Sequence, residues 1–98
     1  MHGPDLYRKY RRLIVELADE RRSPGPSLTA LQGVLQEFQD AAAAIDPATA
    51  DFVCDELADQ LEHEAIRSIS KHRRDILSMA VKAFDEMTFL NRRGEGFP

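Results

Sequence analysis

From Ala48 to Arg93 the chain contains neither glycine nor proline. That uninterrupted stretch constrains the fold more than any other feature of the sequence. Gly and Pro are the strongest local breakers of regular structure. Without them, and with apolar residues recurring at three- and four-residue spacing, the stretch reads as helix. In its first half the apolar face is Val53, Cys54, Leu57, Leu61 and Ala65; in its second half it is Ile69, Ile76, Leu77, Ala80, Val81, Phe84 and Met87. At about 100° per residue the two faces lie roughly a quarter turn apart. Coiled-coil drift is only about 20° per heptad and runs in the opposite sense. The mismatch predicts a break or kink between Ser68 and Arg74, aided by Ser68 and Ser70, whose hydroxyls compete for nearby backbone groups. The alternative is a single helix of about 65 Å, Ala48 to Leu90, that meets one neighbour early and another late.

The first half of the chain divides at its prolines. Pro4 suits a first helical position and Asp5 the positive end of the helix dipole. Leu6, Tyr10, Leu13, Ile14 and Leu17 form one stripe, which predicts a first helix over about residues 4–20. Ser23-Pro24-Gly25-Pro26-Ser27 reads as a loop, over about 22–27, with Ser27 as the N-cap of a second helix over about 28–45. That helix carries Leu28, Leu31, Leu35, Phe38, Ala42 and Ile45 on one face. Gly33 lies inside it at a cost of about 1 kcal/mol, marking either a close helix–helix approach or a tolerated surface glycine. Asp46-Pro47 reads as N-cap and first residue of a third helix over about 47–68. A fourth, over about 71–91, ends at Asn91-Arg92-Arg93-Gly94, with a loose tail over 94–98. No strand-like alternation or hairpin signal occurs. The expected fold is all-α, a three- or four-helix bundle with a long C-terminal helical arm, kinked or broken as described, in a single 98-residue domain.

Charge is unevenly laid out. The net charge of −4 conceals a middle, Ser23 to Ile66, with nine acids and not one Lys or Arg. Residues 1–22 hold six bases against four acids, and residues 67–98 seven against four. One reading is internal complementarity, with the basic ends packed beside the acidic middle. Such pairs add little stability but favour one arrangement over others. The sharper reading is an acidic docking face on the third helix, made of Asp51, Asp55, Asp59 and Glu62, for a partner protein with a basic surface. The bases Arg8, Lys9, Arg11 and Arg12 form a possible basic patch on the first helix, the one place where a nucleic-acid backbone would find cations. A helix-turn-helix reading fails, because the third helix has no Lys or Arg before Arg67.

Motifs that specify chemistry are scarce. The single cysteine, Cys54, reads as a small buried apolar residue, and no CxxC pair exists. His63 lies four residues after Asp59, but there is no HExxH and no Glu-x-x-His. No metal or cofactor is expected, and no catalytic residue is assigned. No apolar run reaches the roughly 18 residues needed to span a bilayer. Met1 to Tyr10 has no signal-peptide core. The expectation is a cytoplasmic protein from a bacterium or phage, with no membrane partner.

The hexapeptide Arg67-Ser68-Ile69-Ser70-Lys71-His72 places four residues between an Arg and a His. It resembles the short active-site motif of HEPN ribonucleases, which are helical bundles longer than this chain. The resemblance covers these six residues. It implies metal-independent RNA cleavage by a paired Arg67 and His72 at a dimer interface, with Lys71, Arg73 and Arg74 placed to hold phosphates.

The expected function is that of a small non-enzymatic protein-binding module, an adaptor, assembly factor or inhibitor. With no disulfide and a long apolar C-terminal stripe, a homodimer is expected that buries Ile76, Leu77, Ala80, Val81, Phe84 and Met87. The alternatives are HEPN-like ribonuclease activity and nucleic-acid binding through the basic face of the first helix.

Overall fold

The structure is a computed structural model that describes residues 2–19, 24–87 and 89. It is an all-α bundle of four helices: α1 (Gly3–Leu17), α2 (Pro24–Ala42), α3 (Pro47–Arg67) and α4 (Lys71–Glu86). The expected helix stop at Asn91–Gly94, the tail 94–98 and the chain between α1 and α2 lie outside the described residues.

The stripes read from the sequence converge on one core. Leu6, Tyr10, Ile14 and Leu17 of α1 meet Leu31, Phe38 and Ala42 of α2 and the full α3 set, Val53, Cys54, Leu57, Leu61 and Ala65. At the centre Phe38 is fully buried and met edge-on by Tyr10 at 5.2 Å, Phe84 at 5.0 Å and Phe89 at 6.4 Å. This edge-to-face geometry suits the ring quadrupoles.

α2 starts earlier than its composition suggests. Pro24, Gly25 and Pro26 belong to its first turn, where backbone N–H groups have no intrahelical acceptor and proline loses nothing. Ser27 is therefore not the N-cap; it lies buried inside the helix. α2 also ends at Ala42 rather than Ile45, closing through Ala44 N–H to Ala41 O and Ile45 N–H to Ala42 O. The early end leaves room for Asp46, extended at ψ 128°, to cap α3 through a 3.0 Å bond from the Thr49 N–H. A residue before proline is biased away from helix in any case. Gly33 is exposed, and a Cβ there would meet nothing within 4 Å. Gly33→Ala is accordingly expected to stabilise the protein by about 0.5–1 kcal/mol, seen as a higher denaturant midpoint; a lower midpoint would mean that α2 packs closely at that point. The glycine that does require its small size is Gly3, where a Cβ would lie 2.9 Å from Thr49 Cγ2.

The break between the two halves of the long stretch falls within the expected window. α3 stops at Arg67, residues 68–70 are non-helical, and α4 starts at Lys71. Ser68 donates to the Glu64 carbonyl at 2.6 Å and accepts from Arg73 Nε at 2.9 Å. Ser70 caps α4 by accepting from the Arg73 N–H. Arg74 donates to the carbonyls of Ser68 and Ile69, at 3.2 and 2.6 Å. The serines thus supply the local bonds that replace helix, and α4 folds back antiparallel along α3.

That return changes what the C-terminal stripe does. Ile76, Leu77, Ala80 and Phe84 are buried inside the single chain, and Val81 and Met87 are half-buried against the same core. The stripe expected to form a dimer interface is interior packing of the monomer. Met87 has already left the helix, so α4 ends short of the expected residue 91.

Buried titratable groups report the same packing. Burial, with Asp51 and Asp55 nearby, pushes the Cys54 thiol from 9.0 up to about 12. Burial and the 2.9 Å hydrogen bond it donates to Glu37 raise the Tyr10 phenol from 10.0 to about 12. Because both folded values lie above the unfolded ones, the folded state retains protons that the unfolded chain releases. From neutral pH, stability is expected to be flat up to about pH 9 and to fall between pH 9 and 12. Urea midpoints across that range test this, and a midpoint unchanged to pH 12 would contradict it. Cys54 is likewise expected to resist a thiol reagent at neutral pH until the chain unfolds.

Candidate binding face

α3 has one face in the core and one in solvent. On a helix, positions seven apart lie within about 20° of each other. Phe52, Asp59 and Ile66 therefore form one outward line, with Asp55 and Glu62 on one flank and His63 on the other. Phe52 is 64% and Ile66 75% exposed. Asp55, Asp59 and Glu62 are all exposed. The outward face of α3 is thus an acidic strip with a large apolar side chain near each end.

Of the four acids expected on this face, three are there. Asp51 is not: it is buried to 9% exposure and accepts a 2.8 Å hydrogen bond from the Phe89 N–H. It holds the segment that follows α4 against the start of α3. Asp59 faces His63, 3.8 Å from the ring Nδ1, which itself lies 2.8 Å from the Asp59 carbonyl. Asp55 and Glu62 have no ion-pair partner among the described residues.

Beside Phe52 the face opens into a cleft of about 430 Å³ between the first turns of α1 and α3. Pro4 and Tyr7 form one wall, Phe52 and Val53 the other, and Arg8 and Glu56 also line it. The sequence reading assigns no role to Phe52 or Ile66. The signal that marks them is the seven-residue repeat of Phe52, Asp59 and Ile66 on the side away from Leu57 and Leu61.

The basic residues of α1 do not form a single patch. Arg8 pairs with Asp5 at 3.1 Å, Lys9 reaches Glu37 of α2 at 3.4 Å, and Arg11 reaches Glu64 of α3 at 3.5 Å. Arg12 alone of the four is exposed without a partner among the described residues. Lys9 and the Tyr10 hydroxyl together hold the Glu37 carboxyl below its ordinary pKa, the hydroxyl contributing more. Glu64 also accepts from Arg73 of α4 at 3.0 Å, so one carboxylate links α1, α3 and α4. Here the basic ends do pack against the acidic middle. Glu64→Gln is expected to cost about 1 kcal/mol, because these groups are partly solvated. A double-mutant cycle with Arg73→Ala measures it, and zero coupling would show that the pair only coincides in space.

The two residues of the ribonuclease-like hexapeptide are placed on different helices. Arg67 is exposed on the last turn of α3. His72 is the second residue of α4, and its Nε2 is enclosed without a hydrogen-bond partner. In this single chain that nitrogen is shut off from an incoming hydroxyl. Ile69 is also not on the apolar face of α4 where its spacing put it. It sits in the connector and is 93% exposed, and Arg74 donates to its own and the preceding backbone carbonyl.

Among the described residues no three His, Cys, Asp or Glu side chains converge as a metal-binding group, and no helix is long and apolar enough to cross a membrane. No family model, no curated protein and no solved structure matches the chain, so its function has to be read from these residues.

Proposed function

We propose that this protein is a non-enzymatic protein-binding module, an adaptor, assembly factor or inhibitor, and that it binds through the outward face of α3. The observation that carries this reading is that exposed Phe52 and Ile66 share that face with Asp55 and Glu62, which have no ion-pair partner among the described residues. Phe52 beside the cleft and Ile66 near the other end give the face two apolar contacts with acids between them. Aromatic residues beside a cleft are common binding anchors. The acids between them select a partner that places cations next to apolar side chains, and they raise its association rate.

Asp55→Lys combined with Asp59→Lys tests the reading. Both positions are exposed, so the fold should persist with unchanged helicity. Partners captured by the wild-type chain and identified by mass spectrometry should be lost from the variant. Unchanged capture would refute the α3 face. RNA cleavage by the purified chain that disappears in His72→Ala would replace the reading with the ribonuclease one.

A further inference from the structure

We propose that the cleft between the first turns of α1 and α3 is where the partner inserts a cationic side chain, that of an arginine. The inference rests on the reading of the α3 face as the binding face, which this cleft adjoins through Phe52, and it names what the partner places there.

The cleft has the make-up of a ligand site. Its volume of about 430 Å³ falls toward the small end of the range of about 300–1,000 Å³ typical of such sites, and it has room for one long side chain. Pro4 and Tyr7 of α1 face Phe52 and Val53 of α3 across it. Gly3 lets the two first turns start side by side, since a Cβ there would lie 2.9 Å from Thr49 Cγ2.

Two charged side chains also line the cleft, and they are not equivalent. Arg8 is turned to Asp5 on its own helix, at 3.1 Å, which offsets its charge. Glu56 is half-buried and has no ion-pair partner among the described residues. A carboxylate drawn partly out of water beside apolar walls costs free energy until a cation meets it. Asp55 and Asp59, exposed on the adjoining face, add to the negative field.

A guanidinium suits this setting better than an ammonium. It is planar and weakly hydrated, it stacks on aromatic faces, and it can give a carboxylate two N–H donors at once. Tyr7 and Phe52 supply the rings, Glu56 the carboxylate, and Pro4 and Val53 apolar surface for the methylene stem. A neutral side chain would fill the cleft and leave Glu56 without a cation. An acidic one would meet like charge.

Amide chemical-shift titration of the labelled full chain with N-acetylargininamide, taken to tens of millimolar, tests the site. N-acetylcitrullinamide, of the same shape without the charge, is the control. The arginine probe should shift Tyr7, Phe52, Val53 and Glu56 together and bind about threefold or more tighter than the citrulline probe. Glu56→Gln should bring the arginine probe down to the citrulline level and leave the citrulline probe unchanged. Phe52→Ser should weaken both, and circular dichroism should show equal helicity in all three proteins. A cleft silent to both probes, equal binding of the two, or a Glu56→Gln protein that holds arginine as tightly as the wild type would each overturn the proposal. Shifts of the same amides on concentrating the chain without a probe would give the cleft to a second copy and overturn it as well. A silent cleft, with partner capture still lost on combining Asp55→Lys and Asp59→Lys, would overturn the arginine site alone and leave the α3 face intact. A responsive cleft, with capture unchanged in that variant, would refute the face and leave the arginine preference of the cleft standing.

Discussion

Leu77→Asp is expected to unfold the chain outright. Leu77 is fully inaccessible in the single protomer, between Ile76 and Ala80 on the inner side of α4. An unpaired carboxylate at such a site costs several kcal/mol or forces the structure open. The whole stability of a domain of this size is only about 5–15 kcal/mol. The substitution also separates two readings of the C-terminal stripe. Were the stripe a dimer interface on an independently folded protomer, Leu77→Asp would give a helical, monomeric protein. Packed inside the bundle, it gives lost helicity at 222 nm and no cooperative melt. A folded monomeric variant would contradict the packing of α4 on α3.

The second large effect is at Phe38. Its ring fills the middle of the core, with Tyr10, Phe84 and Phe89 edge-on around it. Truncating a buried phenylalanine to alanine costs about 3–5 kcal/mol, from lost transfer energy and the cavity left behind. For a domain of 60–100 residues each kcal/mol moves the melting temperature by about 4–8 °C. Phe38→Ala should therefore melt at least about 12 °C below the wild type, if it folds at all. Phe52→Ser, by contrast, removes an exposed ring and should stay within about 0.5 kcal/mol of the wild type. A small effect at Phe38 together with a large one at Phe52 would mean that α2 and α3 present the opposite faces to the core.

These two positions show what the sequence could and could not convey. The 3.6-residue spacing identified the buried residues of α1, α2 and α3 almost completely, because helix periodicity and burial are one constraint seen twice. The break was legible because two apolar faces that disagree by a quarter turn cannot share one straight neighbour. The destination of the α4 stripe was not legible: periodicity says that Leu77 is buried, and nothing in it tells an α3 of the same chain from a second copy. The start of α2 was hidden because Pro-Gly-Pro-Ser is typical of loops and is tolerated in a helix only within the first turn. Asp51 shares a helical side with Asp55, and only the segment carrying Phe89 distinguishes them, by covering one and not the other. Phe52 and Ile66 were not legible as contact residues because they stand among charges, outside the apolar stripe that periodicity reports. The charge layout carried both readings at once. Glu37 and Glu64 serve internal pairing, while Asp55 and Glu62 have no ion-pair partner among the described residues.

The outward face of α3 is proposed as the place where this protein meets its partner. Amide chemical-shift mapping of the labelled full chain, on addition of a protein that it captures, tests this. Shifts should group on Phe52, Asp55, Asp59, Glu62, His63, Ile66 and Arg67, with Phe38 and Leu77 unmoved. Shifts grouped on Arg8 to Arg12 or along α4, with α3 silent, would contradict it.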